Sequence, residues 1–119
     1  MKDTTRARVV AVVGAAATRK SVGAVYDYSI YGYRSISAHV SDRGVTGYDY
    51  ETSSHFSGAR SGSLDFFDHH NSNDIHLKLN GKSFDGYDYD TQTSFSGTIN
   101  GNSILLYDNE TSTHYTYGL

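Results

Sequence analysis

Residues 84–118 read FDGYDYDTQTSFSGTINGNSILLYDNETSTHYTYG, and this stretch decides the fold. It holds Tyr87-Asp88 and Tyr107-Asp108, twenty residues apart, each followed by a Thr three residues after the Asp. Between them stands Asn100-Gly101, a pair that favours a tight hairpin turn because Gly accepts positive φ. The runs between these signals are rich in Tyr, Phe, Ile, Leu, Thr and Ser. Those residue types suit a pleated, half-buried strand.

The same pattern extends toward the N-terminus. Aromatic–Asp pairs recur at Tyr26-Asp27, Tyr48-Asp49 and Phe67-Asp68, giving Asp-to-Asp spacings of 22, 19, 20 and 20 residues. X-Gly turns fall at Arg43-Gly44, Ser61-Gly62 and Asn80-Gly81. Seven residues past each Asp from Asp49 onward stand Phe56, Ile75, Phe95 and Tyr115. Nine past it stand Gly58, Leu77, Gly97 and Tyr117, which share a strand face with the first set because side chains alternate with period two. Each unit therefore reads strand, Asp-x-x-Thr turn, strand, X-Gly turn. The expectation is an all-β domain over residues 21–119. Five tandem hairpins of about 20 residues would give about ten antiparallel strands, in a small up-and-down barrel or a flower-like closed sheet. No sustained 3.6-residue apolar period follows residue 21, so no helix is expected there. Gly47, Gly58, Gly86 and Gly97 lie inside strands, where Gly marks a bend or a close approach.

The repeated Tyr-Asp at this spacing resembles the tyrosine–aspartate repeats of large bacterial surface and toxin-shell proteins. The Gly-Arg that usually follows Tyr-Asp there is replaced here by Asp-x-x-Thr. The all-hairpin plan of residues 23–119 is similar to the small bacterial β-flower barrels, which resemble the lipid-binding Tubby barrel in outline. The resemblance implies an architecture and carries no chemistry.

Residues 1–20 differ from the rest. They hold five bases and one acid, a balance of +4, whereas residues 21–119 hold five bases and twelve acids, a balance of −7. The basic start, the apolar run Val9 to Ala17 and Ala15-x-Ala17 fit a secretory signal peptide. They also fit a packed strand, which Val9, Val10, Val12 and Val13 favour over helix. If retained, these valines are expected to be buried, in strand pairing or at a subunit contact, with the segment against the acidic turn end or bridging to a neighbouring subunit.

The composition narrows function. A net charge of −3 excludes a generic nucleic-acid binder, and the absence of Cys excludes a disulfide scaffold or thiolate metal site. No apolar run suffices for a transmembrane span. Asp27, Asp49, Asp68, Asp88 and Asp108 read either as a ring of carboxylates for Ca²⁺ or another cation, or, the preferred reading, as five copies of one turn-capping side chain. No metal or other cofactor is expected; had a metal a place, His69, His70 and Asp74 would hold it. The binding candidates are Tyr28, Tyr50 and Tyr89 after the Asp, with Tyr48, Tyr87 and Tyr107 before it. Tyr pairs an apolar face with a polar tip and suits a protein partner or a sugar, although it also fills a small core and its rim. No nucleophile–base set, phosphate loop or dinucleotide fingerprint occurs.

The expectation is a non-enzymatic structural or binding module, secreted or on a cell or virion surface. It would engage itself or a protein partner. Carbohydrate binding through exposed Tyr with Asp or Asn is the first alternative. Binding to a lipid or membrane surface, through an exposed N-terminus, is the second.

Overall fold

Alternation of apolar and polar residues makes the strands, and the turn chemistry sets their length. The computed structural model describes residues 1–59 and 62–119. Ser61 of the expected Ser61-Gly62 turn lies outside the described residues. Among them are one helix, α1 (Asp3–Thr18), and eleven strands. The strands are β1 (Val25–Asp27), β2 (Gly32–Arg34), β3 (Ile36–Ser41), β4 (Gly44–Asp49), β5 (Ser54–Ala59) and β6 (Phe66–Asp68). Then follow β7 (Asn73–Asn80), β8 (Ser83–Asp88), β9 (Thr93–Asn100), β10 (Ser103–Asp108) and β11 (Thr113–Gly118).

All strands pair antiparallel in one sheet of order β2-β1-β11-β10-β9-β8-β7-β6-β5-β4-β3. The two ends of that order, β2 and β3, are separated in the chain by Ser35 alone. The sheet therefore curls into a nearly closed barrel, and an isolated bridge between Val22 and Ala38 ties the seam. Ten strands become eleven because one run, interrupted at Ser35, pairs first with β1 and then with β4.

At one barrel end a single turn geometry recurs. The residue four past each Asp (Tyr31, Ser53, Ser72, Gln92 and Ser112) adopts φ between 51° and 55°. At the other end, two-residue loops follow Asn80 and Asn100. Asn80 pairs with Ser83 and Asn100 with Ser103, so the loop residues are Gly81-Lys82 and Gly101-Asn102. Only the glycines have positive φ, 63° and 62°. That pattern fits a type II′ turn with Gly first, rather than the type I′ turn that Asn-Gly suggests.

The segment 1–20 departs from the strand expectation. Residues 3–18 form a helix that is buried on every side from Thr5 to Ala15. It fills the barrel, in line with the rule that a helix apolar all round belongs in a core. Two physical reasons override the valine propensity. The lumen offers no water and no free sheet edge, and a helix satisfies its own backbone hydrogen bonds. The helix penalty of each Val is also only a fraction of a kcal/mol. Val9, Val10, Val12 and Val13 are buried as expected, against the inner barrel wall instead of in strand pairing. Ala, Val and Gly dominate the helix, so it is slim enough for the lumen; a side chain on Gly14 would overlap Leu119.

The inner wall is lined by Phe56, Phe66, Ile75, Leu77, Phe84, Phe95, Ile104, Leu106 and Tyr117. Strand glycines sit opposite three of the rings: Gly47 pairs with Phe56, Gly86 with Phe95 and Gly97 with Phe84. Each ring lies across the partner glycine, so the close approach read from sequence is that of a cross-strand phenylalanine.

Candidate functional site

The five repeated aspartates point inward and are buried. One carboxylate oxygen of each caps its own turn. Asp27, Asp49, Asp68, Asp88 and Asp108 accept a backbone N–H from Ser29, Glu51, His70, Asp90 and Glu110, at 2.9–3.0 Å. The turn-capping reading is thus the one the geometry bears out.

The second oxygens face the start of α1, and the chain's own cations meet them. Arg8 Nε donates to Asp49 at 2.8 Å and Arg8 Nη1 to Asp68 at 2.5 Å. Arg6 Nη1 donates to Asp108 at 3.0 Å, and the Met1 ammonium lies 3.3 Å from the same carboxylate and against Glu110. Arg34 Nε donates to Asp27 at 2.7 Å while its Nη2 reaches Asp3 at 3.1 Å. Asp88 is the exception: among the described residues its second oxygen accepts the Thr91 hydroxyl, at 3.1 Å, and no arginine.

These differences set the titration of the two carboxyls. Burial pushes Asp27 up, but hydrogen bonds from Ser29 and Arg34 outweigh it and hold the carboxyl below its ordinary value. Burial dominates at Asp88 and raises it, since the Asp90 N–H and the Thr91 hydroxyl compensate only in part. Burial likewise pushes the Tyr117 phenol well above its usual range.

Sequence reasoning missed Arg6, Arg8 and Arg34 as partners of the aspartates. The signal that sequence did carry was the charge split, which placed the basic segment against the acidic turn end, where Met1, Arg6 and Arg8 lie, without assigning individual pairs.

Outside the barrel the aromatic–Asp–aromatic triplets place both aromatics on the outer face. Tyr48 and Tyr50 meet edge to face at 4.8 Å, as do Tyr87 and Tyr89 at 4.8 Å and Tyr26 and Tyr28 at 4.8 Å. Tyr107 instead meets His114 at 4.6 Å, and Tyr48 also meets His55 at 4.7 Å. His55 and His114, six residues past their Asp, thus share one role. The backbone N–H after each Asp pins these turns to the adjoining strand: Tyr28 donates to Thr116, Tyr50 to Ser35 and Tyr89 to Asp74. The six candidate tyrosines therefore form aromatic pillars around one rim, without converging on one pocket.

The first hairpin is the most aromatic. Tyr31 is 82 % and Tyr33 73 % exposed, with Tyr28 and Ile30 about half exposed beside them. Tyr26 packs edge to face on both Tyr28 and Tyr33, at 4.8 and 5.0 Å.

The histidine candidates disperse. His69 packs on Phe67 at 4.8 Å, His70 lies in the turn, and Asp74 is exposed on β7. Among the described residues no three His, Asp or Glu side chains are placed to hold a metal ion.

A groove of about 450 Å³ crosses the outer face between β7 and β11. Strand register lines up Lys78, Asp85, Ser96, Tyr107 and His114 in one transverse row along it. Asn80, Ser83, Thr98 and Leu105 form the next row.

Comparison of the chain with protein-family models, curated proteins and solved structures finds no match. No helix among the described residues is long and apolar enough to cross a membrane.

Proposed function

We propose that this protein is a non-enzymatic structural or binding module, secreted or surface-located, that engages a protein partner or a second copy of itself through its first hairpin. The observation that carries this reading is the contiguous exposed set Tyr28, Ile30, Tyr31 and Tyr33. Exposed Tyr supplies large contact area at low entropic cost and is enriched in interfaces. The patch lies on the hairpin of β2, beside the seam of the nearly closed sheet.

The interior supports a passive scaffold. Asp27, Arg34, Asp88 and Tyr117 are buried within the barrel, away from the outer groove. The basic, Val-rich segment on which a membrane-surface reading rests is likewise inside, which leaves the tyrosines as the exposed recognition chemistry.

The test has two arms. Light scattering should show the mass rising above 13.1 kDa with concentration, and Tyr31→Ser/Tyr33→Ser should abolish the rise. Alternatively, a photo-crosslinker replacing Tyr31 should capture a discrete protein in the producing organism. A strictly monomeric chain that captures nothing through position 31 contradicts the reading.

A further inference from the structure

We propose that the groove across β7–β11 is a saccharide-binding site, separate from the first-hairpin patch. Its volume, about 450 Å³, falls in the range of small-ligand sites. Its chemistry excludes most other ligands. Lys78 and Asp85 are directly opposed across strands, so the row carries no net charge to attract a phosphate. Exposed Leu105 and half-buried Tyr107 are the apolar surfaces of the two rows, too little for a lipid chain or an amphipathic helix.

What remains is a dense set of neutral and ionic hydrogen-bonding groups beside one aromatic ring. Asp85 offers a carboxylate that accepts two hydroxyl protons in charge-assisted bonds. Asn80, Ser83, Ser96 and Thr98 both donate and accept. Tyr107, steadied by His114 at 4.6 Å, lines the groove with its ring. An aromatic face is electron-rich and attracts the polarised C–H edge of a sugar ring. The corresponding row among the described residues, His39, Thr46, Ser57, Phe67 and Asp74, also joins hydroxyls, a carboxylate and an aromatic ring, but it lacks the opposed Lys–Asp pair.

The first row runs across five strands, about 19 Å at the usual strand spacing, so the site fits an oligosaccharide lying across the barrel rather than a single sugar. The floor is built for this. Ser96, Gly97 and Thr98 of β9, in the middle of the groove, are small.

The intact chain should be applied to an array of neutral and acidic oligosaccharides, and the strongest hit titrated by calorimetry. Binding is expected, and Asp85→Asn and Tyr107→Ala should each weaken it by about tenfold or more. Thr98→Arg blocks the groove from an exposed position without touching the core, and it should abolish binding with unchanged circular dichroism. Tyr31→Ser/Tyr33→Ser should leave saccharide binding intact, which separates this site from the first-hairpin reading. An array without hits overturns the proposal, as does a hit that Thr98→Arg does not affect.

Discussion

Arg8 Nε stands 2.8 Å from Asp49 Oδ2 in the interior of the barrel, and neither side chain is exposed to water. The same guanidinium reaches Asp68 at 2.5 Å and the Thr52 hydroxyl at 3.2 Å, so one helical residue joins two hairpins. Arg6 does the same for the last hairpin, through Asp108, and stacks over the Tyr115 ring at 3.8 Å. The helix is thus seated by charge at its N-terminal end and by apolar contact along its length. Carboxylates gathered around a helix N-terminus also match the sign of its dipole.

Replacing Arg8 tests that seat. Arg8→Met keeps the apolar bulk and leaves Asp49 and Asp68 buried without their cation. Removing one partner of a buried pair typically costs about 3–5 kcal/mol. Urea unfolding should show a loss of that order, whereas substitution of the exposed Arg43 should change stability by less than about 0.5 kcal/mol.

Asp27 and Asp88 should respond oppositely to pH. The folded-state carboxyl of Asp27 is held below its ordinary value, so its stabilisation is present above that value and is lost as pH falls through the lowered one. Asp88 is raised, so its contribution is greatest in acid and is lost as pH rises through the raised value. Asp88→Asn should therefore be neutral or stabilising at pH 7, because the amide still accepts the Asp90 N–H and meets Thr91. Asp27→Asn should destabilise at pH 7 and cease to do so in strong acid. Thermal melts of both variants from pH 2 to 8 check the two signs.

The Phe–Gly pairs give a prediction about packing. A Cβ on Gly86 would stand 2.0 Å from the His76 carbonyl oxygen and 2.5 Å from the Phe95 ring. Backbone cannot step aside as a flexible side chain can. Gly86→Ala should therefore cost at least the 1–3 kcal/mol or so typical of overpacking, measured by chemical denaturation. Gly23→Ala, in open space, should be silent by the same measurement.

Several features were legible from the chain alone. Asp-x-x-Thr turns and the apolar residues seven past each Asp from Asp49 onward predict antiparallel hairpins, and Phe56, Ile75 and Phe95 do face inward. Capping by Asp27 through Asp108 follows from local chemistry, so sequence suffices for it. The helix did not follow. Val9 to Val13 carry strand propensity, and what overrides it is the dry lumen, a property of the assembled barrel that no local window contains. The ion pairs were hidden for the same reason: Arg8 meets Asp49 and Asp68 only when residues 41 and 60 positions apart close on each other. The groove across β7–β11 depends on strand register, and of the tyrosines that drew notice in the sequence only Tyr107 lines it.

The central claim is that α1 is the core of the barrel, and amide hydrogen exchange measures this most directly. If the helix fills the lumen, the amides of residues 7–13 should exchange only through global unfolding, as slowly as those in the middle of β8–β10. Exchange of those helical amides within seconds to minutes, while β8–β10 remain protected, would mean that the barrel stands without its helix and would contradict the account.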